Sequence, residues 1–479
     1  MKNKSLVYLI FKSLLLIFVF CFLVVKIEFL FKRDNPSTNT WDVFYKQKPN
    51  TADFLFFGNS HIGNGLDLNI INSKTKAKVF TLYGYGQTLP QVYYNVKEAL
   101  KYQTPKLIVL ETYSISNFSE NHFNKQKRIP KINSFDAKNF DFVKVEEFLD
   151  LYKDEGIYNF SPLITNHFSW SKKDFIKNNL NKKLNSKAYF LGNLKSTHIL
   201  NKAKINLYRE KDFGNSIFKI SEHQLSYFNK IVDLAKEKNI QVMLVTIPYF
   251  KEYRNKINYE SIHKSMIDLA TKNEFKYLDL NKVFPNMEYN CFMDDKVRTN
   301  QHLNYKGNIL VSNYLADYIS EHYSFKLNKG NKAFPEYYLY NKIKSDSLND
   351  GSLIIGNLDR INGIKTNNLS IKQEEKSDLK LSGWIAVENH RSEFIEMFIA
   401  LVKNDNFIYV SQPNQLNIKK RLDVTKNLKQ VNNLYDDSGF DVNINSLLLE
   451  KGQYKIYLII RTPEGEIAIK NSGKKVEII

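Results

Sequence analysis

Three short segments, far apart in the chain, hold the residue types of a serine nucleophile and its helpers. Ser60 stands in Gly58-Asn59-Ser60-His61, directly after the apolar run Phe54-Leu55-Phe56-Phe57. A serine on the turn after a buried strand presents its hydroxyl at the end of a sheet where ligands bind, and its amide can face a reacting oxygen. The same position is also the ordinary cap of a following helix, so it gains meaning only from partners. Gly86, in Gly84-Tyr85-Gly86, follows a second apolar run; glycine there permits a close backbone approach, or simply a tight turn. His302 follows a polar loop that contains Asp294 and Asp295. The order Ser, Asp, His suits a triad in which imidazole takes the hydroxyl proton and a carboxylate, that of Asp294 or Asp295, fixes its tautomer.

Strands and helices must bring these segments together. Short continuous apolar runs at 54–57, 78–84, 106–113, 240–248 and 275–280 read as strands buried on both faces. Helical spacing fills 88–102, 221–238, 258–273 and 304–323. The alternation predicts an α/β domain around a parallel sheet, with right-handed crossovers. It spans 51–325, with a basic, aromatic insertion at 117–220 expected to sit over the strand ends as a cap. Residues 326–360 show no periodicity and read as a linker. Residues 361–479 carry short strand-like runs between turns, which predict a C-terminal β-sandwich.

The three segments together resemble the SGNH/GDSL hydrolase superfamily. Gly58-Asn59-Ser60-His61 matches its nucleophile block, Gly86 its second-block glycine, and His302-Leu303-Asn304-Tyr305-Lys306-Gly307 its final block. The resemblance covers 50–325 apart from the insertion. It implies a flavodoxin-like three-layer fold, Ser60 as nucleophile, His302 as general base, and the amides of Ser60 and Gly86 as oxyanion donors. Two positions depart from the family pattern. Thr299 stands where an Asp usually precedes the His by three residues, which leaves Asp294 or Asp295 to complete the triad. The third strand ends Leu110-Glu111-Thr112-Tyr113, without the oxyanion Asn. That departure, with an N-terminal anchor, is similar to the extracytoplasmic SGNH-like proteins of cell-surface polymer acylation, among them the teichoic acid D-alanylation D protein and the alginate O-acetyltransferase accessory proteins. The resemblance implies a partner membrane-bound O-acyltransferase and a polysaccharide acceptor, and makes Asn59, His61, His167 and Trp170 (in Ser161–Trp170) candidate oxyanion or substrate-binding residues.

The remaining features bound this reading. Ser5 to Val25 is apolar apart from Lys12, long enough to span a bilayer and without the small-residue site of a cleaved signal peptide. Residues 1–33 are therefore expected to anchor the chain, with 34–50 as a polar stalk and the body outside the cytoplasm. Lys and Arg number 69 against 50 Asp and Glu, a formal net charge of +19. This suits anionic lipid or acidic glycan; no basic stripe with a recognition motif points to nucleic acid. Two cysteines, Cys21 and Cys291, exclude a disulfide framework and thiolate zinc sites; no metal or cofactor is expected. The expected function is O-acyl (O-acetyl) transfer to a surface polysaccharide through an acyl-serine. The alternatives are an esterase using the same serine, and a non-catalytic scaffold.

Overall fold

The computed structural model of the chain describes residues 2–33, 35–116, 128–185, 195–203, 205, 217–293, 302–328, 330, 332, 334–342, 353–374, 377–388, 390–404, 406–428 and 434–479. It begins with α1 (Lys2–Ile27), whose apolar side chains are largely exposed and which is long and apolar enough to cross a membrane. A single 3-10 turn, Glu28–Phe31, follows it.

Residues 34–50, expected to be a stalk, instead carry α2 (Pro36–Phe44), capped by the Asn35 side chain on the Thr38 amide. Trp41 and Phe44 are fully buried, and Phe44 packs on Phe80 with ring centroids 5.5 Å apart. The polar average over this segment concealed an apolar stripe. Ser37 donates to the carbonyl of Tyr83 at one end of the sheet, and Tyr45 packs on Tyr102 at the other, so α2 runs the height of the sheet.

The chain then passes through β1 (Phe54–Gly58), α3 (Ser60–Gly65), α4 (Leu68–Thr75), β2 (Val79–Tyr83), α5 (Leu89–Ala99) and β3 (Leu107–Glu111). Inserted helices follow: α6 (Arg128–Ala137), α7 (Phe142–Glu147), α8 (Pro162–Thr165) and α9 (Lys173–Asn185). The α/β alternation resumes with α10 (Glu222–Glu237), β4 (Gln241–Thr246), α11 (Tyr259–Lys272), β5 (Lys276–Asp279) and α12 (Tyr305–His322). The five strands are parallel in the order β2-β1-β3-β4-β5. The step from β1 to β2 runs opposite to the step from β2 to β3, so right-handed crossovers set α4 and α5 on opposite faces. α12 packs on α4 and α10 on α5, covering both faces.

The described parts of the insertion do not form one cap. In its described parts α6 lies on α2, α7 on α5, and α8 and α9 on the turn after α1. Residues 195–200 reach elsewhere: Ser196 and Leu200 bond to Tyr305 and Phe292.

The segment expected as a linker is also structured where described. Asn328 bonds to the Asp53 carboxylate, and α13 (Pro335–Lys342) packs on α4 with Leu339 fully buried. The first strand of the C-terminal part, β6 (Ile354–Ile361), crosses the expected boundary. It joins β7 (Asn368–Ile371), β8 (Asp378–Val387), β9 (Glu396–Asn404), β10 (Phe407–Val410), β11 (Leu416–Lys419), β12 (Gly439–Asn445), β13 (Gly452–Arg461) and β14 (Ile467–Ile478). They make two sheets, β10-β9-β13-β14-β7 and β11-β12-β8-β6, which share one core of alternate residues such as Leu381, Phe440, Ile399 and Leu458.

Candidate active site

β1 and β3 lie side by side, with Phe57 paired to Leu110, and the chain leaves β1 and β3 toward opposite sides of the sheet. Such a switch point opens a crevice at the carboxyl ends of the strands. Ser60 begins α3 there, and Asn59 caps the helix by accepting the His61 amide at 2.9 Å. Gly58 is required by space: a Cβ would lie 2.7 Å from that of Glu111.

His302 Nε2 lies 2.8 Å from Ser60 Oγ across 242 residues of sequence. With the ring proton on Nδ1, Nε2 accepts the hydroxyl hydrogen, which is the arrangement a base needs to activate the nucleophile. The residues after His302 explain how its backbone is held. Phe292 and Leu303 form an antiparallel bridge, the Met293 amide donates to the His302 carbonyl, and the Asn304 amide donates to that of Cys291. Asn304 is fully buried; its Oδ1 caps α12 on the Gly307 amide, while Nδ2 donates to the carbonyls of Asn290 and Phe292. Gly307 lets α12 press against that segment, for a Cβ there would stand 2.4 Å from the Cys291 carbonyl oxygen.

The sandwich buttresses the same helix. Tyr305, fully buried, donates its hydroxyl to the Val410 carbonyl at 3.0 Å and accepts from the Val410 amide at 3.2 Å. Lys195, close to Asp67 and Glu336, fills the adjacent space. Tyr305→Phe strands both Val410 backbone groups, and thermal or denaturant unfolding should show a loss of about 1–3 kcal/mol.

Glu111 is the last residue of β3, one strand over from Gly58. Its side chain is buried; Oε1 accepts the Tyr113 amide at 2.8 Å, and Oε2 has no hydrogen-bond partner among the described residues. Burial holds its carboxyl well above the usual range, an effect only partly offset by that amide. A raised folded pKa means the native state binds the proton more tightly than the unfolded chain. Its stabilising contribution is full below the unfolded pKa and is lost as pH rises through the folded one. Glu111→Gln removes this titration. Across a pH series its melting temperature should gain on the wild type above about pH 5 and show no such gain at pH 4.

His61 sits behind the serine. Its ring is stacked on Tyr113 at 3.8 Å, with Tyr249 and His302 edge-on at 5.8 and 5.4 Å. Burial, then the neighbouring His302, pushes its pKa well down, so it is a neutral packing partner of the His302 ring. Tyr249, which with Tyr113 packs on His61, was not marked by the sequence; its position three residues after the end of β4 is the signal that could have found it.

Of the residues expected at the site, the structure brings together Ser60, His302, Asn59 and His61. Gly86 lies on the turn after β2, whose last residue Tyr83 pairs with Gly58, and its φ of 66° is a conformation that favours glycine. Asp294 and Asp295 lie outside the described residues. His167 and Trp170 make their contacts elsewhere: His167 Nδ1 meets the Ile164 carbonyl, Trp170 Nε1 donates to that of Leu163, and the segment is tied through Asn166 to Phe31 and Arg33. Among the described residues no His, Cys, Asp and Glu group is arranged to hold a metal ion.

Comparison with family models finds no match, and none of the curated proteins matches. Among solved structures, an endo-beta-1,4-mannanase from Thermotoga petrophila aligns over 91% of this chain and 99% of its own, at 9% identity and a TM-score of 0.16, a likeness too slight to carry an argument.

Proposed function

We propose that this protein is a membrane-anchored, extracytoplasmic serine O-acyltransferase of SGNH type, which moves a short acyl group, acetyl in the simplest case, onto a hydroxyl of a cell-surface polysaccharide. The observation that carries the reading is the 2.8 Å contact between His302 Nε2 and Ser60 Oγ at the switch point of a parallel sheet. α1 is the single-pass anchor.

In the first half-reaction Ser60 Oγ attacks the acyl carbonyl as its proton passes to His302. The Ser60 amide stabilises the oxyanion, and Gly86 on the adjacent turn is the second donor that the family pattern assigns. The tetrahedral intermediate collapses, His302 protonates the departing group, and an acyl-serine remains. In the second half a sugar hydroxyl takes the leaving group's place, with His302 now acting as base, and the ester forms as Ser60 regains its proton. Asp295 is assigned to hold the His302 tautomer. A membrane-bound O-acyltransferase supplies the acyl group.

Transfer and hydrolysis share these groups and differ in the acceptor. The full-length protein, incubated with p-nitrophenyl acetate and a surface oligosaccharide, should yield acetylated sugar by mass spectrometry. Acetate release with no sugar ester at any acceptor concentration makes it an esterase instead.

A further inference from the structure

We propose that residues 157–180 form a collar that sits in the headgroup layer of the membrane, so that the folded body rests directly on the lipid with the Ser60 end of its sheet toward the bilayer. This rests on the anchoring role of α1, and not on acyl transfer.

The first observation is that α1 has no tether. Immediately beyond it, the Glu28 carboxylate meets buried Lys144 at 3.1 Å, and Lys32 donates to the Ala137 carbonyl. The Phe31 carbonyl accepts from Asn166, and Asn179 donates to the carbonyls of Leu30 and Lys32. Helix and body are thus joined at every residue or two through 28–33. A hydrocarbon core of about 30 Å takes about 20 helical residues, which Val7 to Lys26 supply, and the polar layer beyond it is only about 5–8 Å deep. At about 1.5–2 Å per residue, Leu30 and Phe31 stand about 6–10 Å beyond Lys26, at the outer edge of that layer, so the groups bonded to them border the headgroups.

The second observation is what the collar presents there. Ile157, Tyr158, Ile164, Phe168, Trp170 and Leu180 are exposed, from 42% for Leu180 to 78% for Ile157. Cations accompany them: Lys172, Lys173 and Lys177 are exposed, and Phe168 lies between Arg33 and Lys172, at 5.4 and 5.1 Å. Exposed apolar side chains beside water are costly, whereas aromatic and aliphatic groups rimmed by lysines match a headgroup boundary with anionic lipid. Trp170 satisfies its indole N–H on the Leu163 carbonyl, leaving the ring free to enter an apolar layer.

The orientation follows from the chain path. Ser37 is four residue steps from Arg33, a reach of at most about 14 Å. Ser37 is bonded to Tyr83, which pairs with Gly58 two residues before Ser60. From there α2 runs to the far end of the sheet, so the carboxyl ends of the strands face the membrane and an acyl donor carried in the membrane meets Ser60 from below.

The test uses tryptophan emission from the full-length protein in vesicles containing anionic lipid, with bromine atoms high on the acyl chains. The chain has three tryptophans. Trp41 is fully buried and Trp384 is half-buried in the sandwich, so the signal lost on Trp170→Phe belongs to Trp170. The Trp170 component should fall about twofold against unbrominated vesicles. Protein that floats with the vesicles while this component is unchanged overturns the collar, including the alternative that a protein partner covers it, and leaves the anchor standing. Protein that stays behind in flotation after alkaline washing overturns both.

Discussion

Ser60→Ala is expected to abolish acylation, lowering p-nitrophenyl ester turnover on the order of 10⁴-fold or more while leaving the melting temperature close to that of the wild type. The change removes one oxygen atom from a residue at the rim of α3, whose cap is made by Asn59 and not by the serine side chain. His302→Ala should cost about as much, and the double variant no more than either single one. Two groups that act as one unit lose their joint effect once. Additive losses would mean that serine and imidazole serve separate steps. A scaffold that merely positions the acceptor polymer would keep polymer acylation intact in Ser60→Ala cells.

Gly307→Ala carries the second-largest expected effect, although the residue touches no substrate. The new Cβ would come within 2.4 Å of the Cys291 carbonyl oxygen. That atom is backbone and cannot swing aside, so α12 must separate from 291–293. The same segment forms the bridge between Phe292 and Leu303 and accepts the Asn304 amide, the contacts that aim His302. Overpacking of this kind costs about 1–3 kcal/mol. A displacement of about 1 Å between nucleophile and base costs about 10²-fold in rate. Both should appear together: a lower melting temperature, and a lower turnover number for the protein that remains folded. A variant with the wild-type turnover number would show that the His302 platform tolerates movement.

Part of this was legible in the sequence. Strands of a parallel sheet are buried on both faces and read as unbroken apolar runs, so Phe54–Gly58, Leu107–Glu111 and Gln241–Thr246 stood out. Ser60 and His302 were singled out because strand ends and helix starts have local signatures. What stayed hidden depends on contacts between distant segments. The apolar side of α2 was masked by the polar residues between its aromatic ones. The contacts of Asn166 and Asn179 with the end of α1 have no local signature, so Trp170 read as a sugar-facing residue of a cap. Glu111 read only as the end of a strand without the expected Asn, since the burial that raises its pKa comes from packing between distant segments. Tyr305 read as one residue of a motif, while its hydroxyl bonds a strand about a hundred residues further along.

The central claim is that Ser60 becomes acylated. Rapid quenching of the full-length protein with p-nitrophenyl acetate, followed by intact mass and peptide mapping, tests it most directly. The account predicts a single acetyl group, located on Ser60 and lost on adding acceptor sugar. An acetyl group on any other residue, or wild-type protein that gains no mass from any short acyl ester, would contradict it.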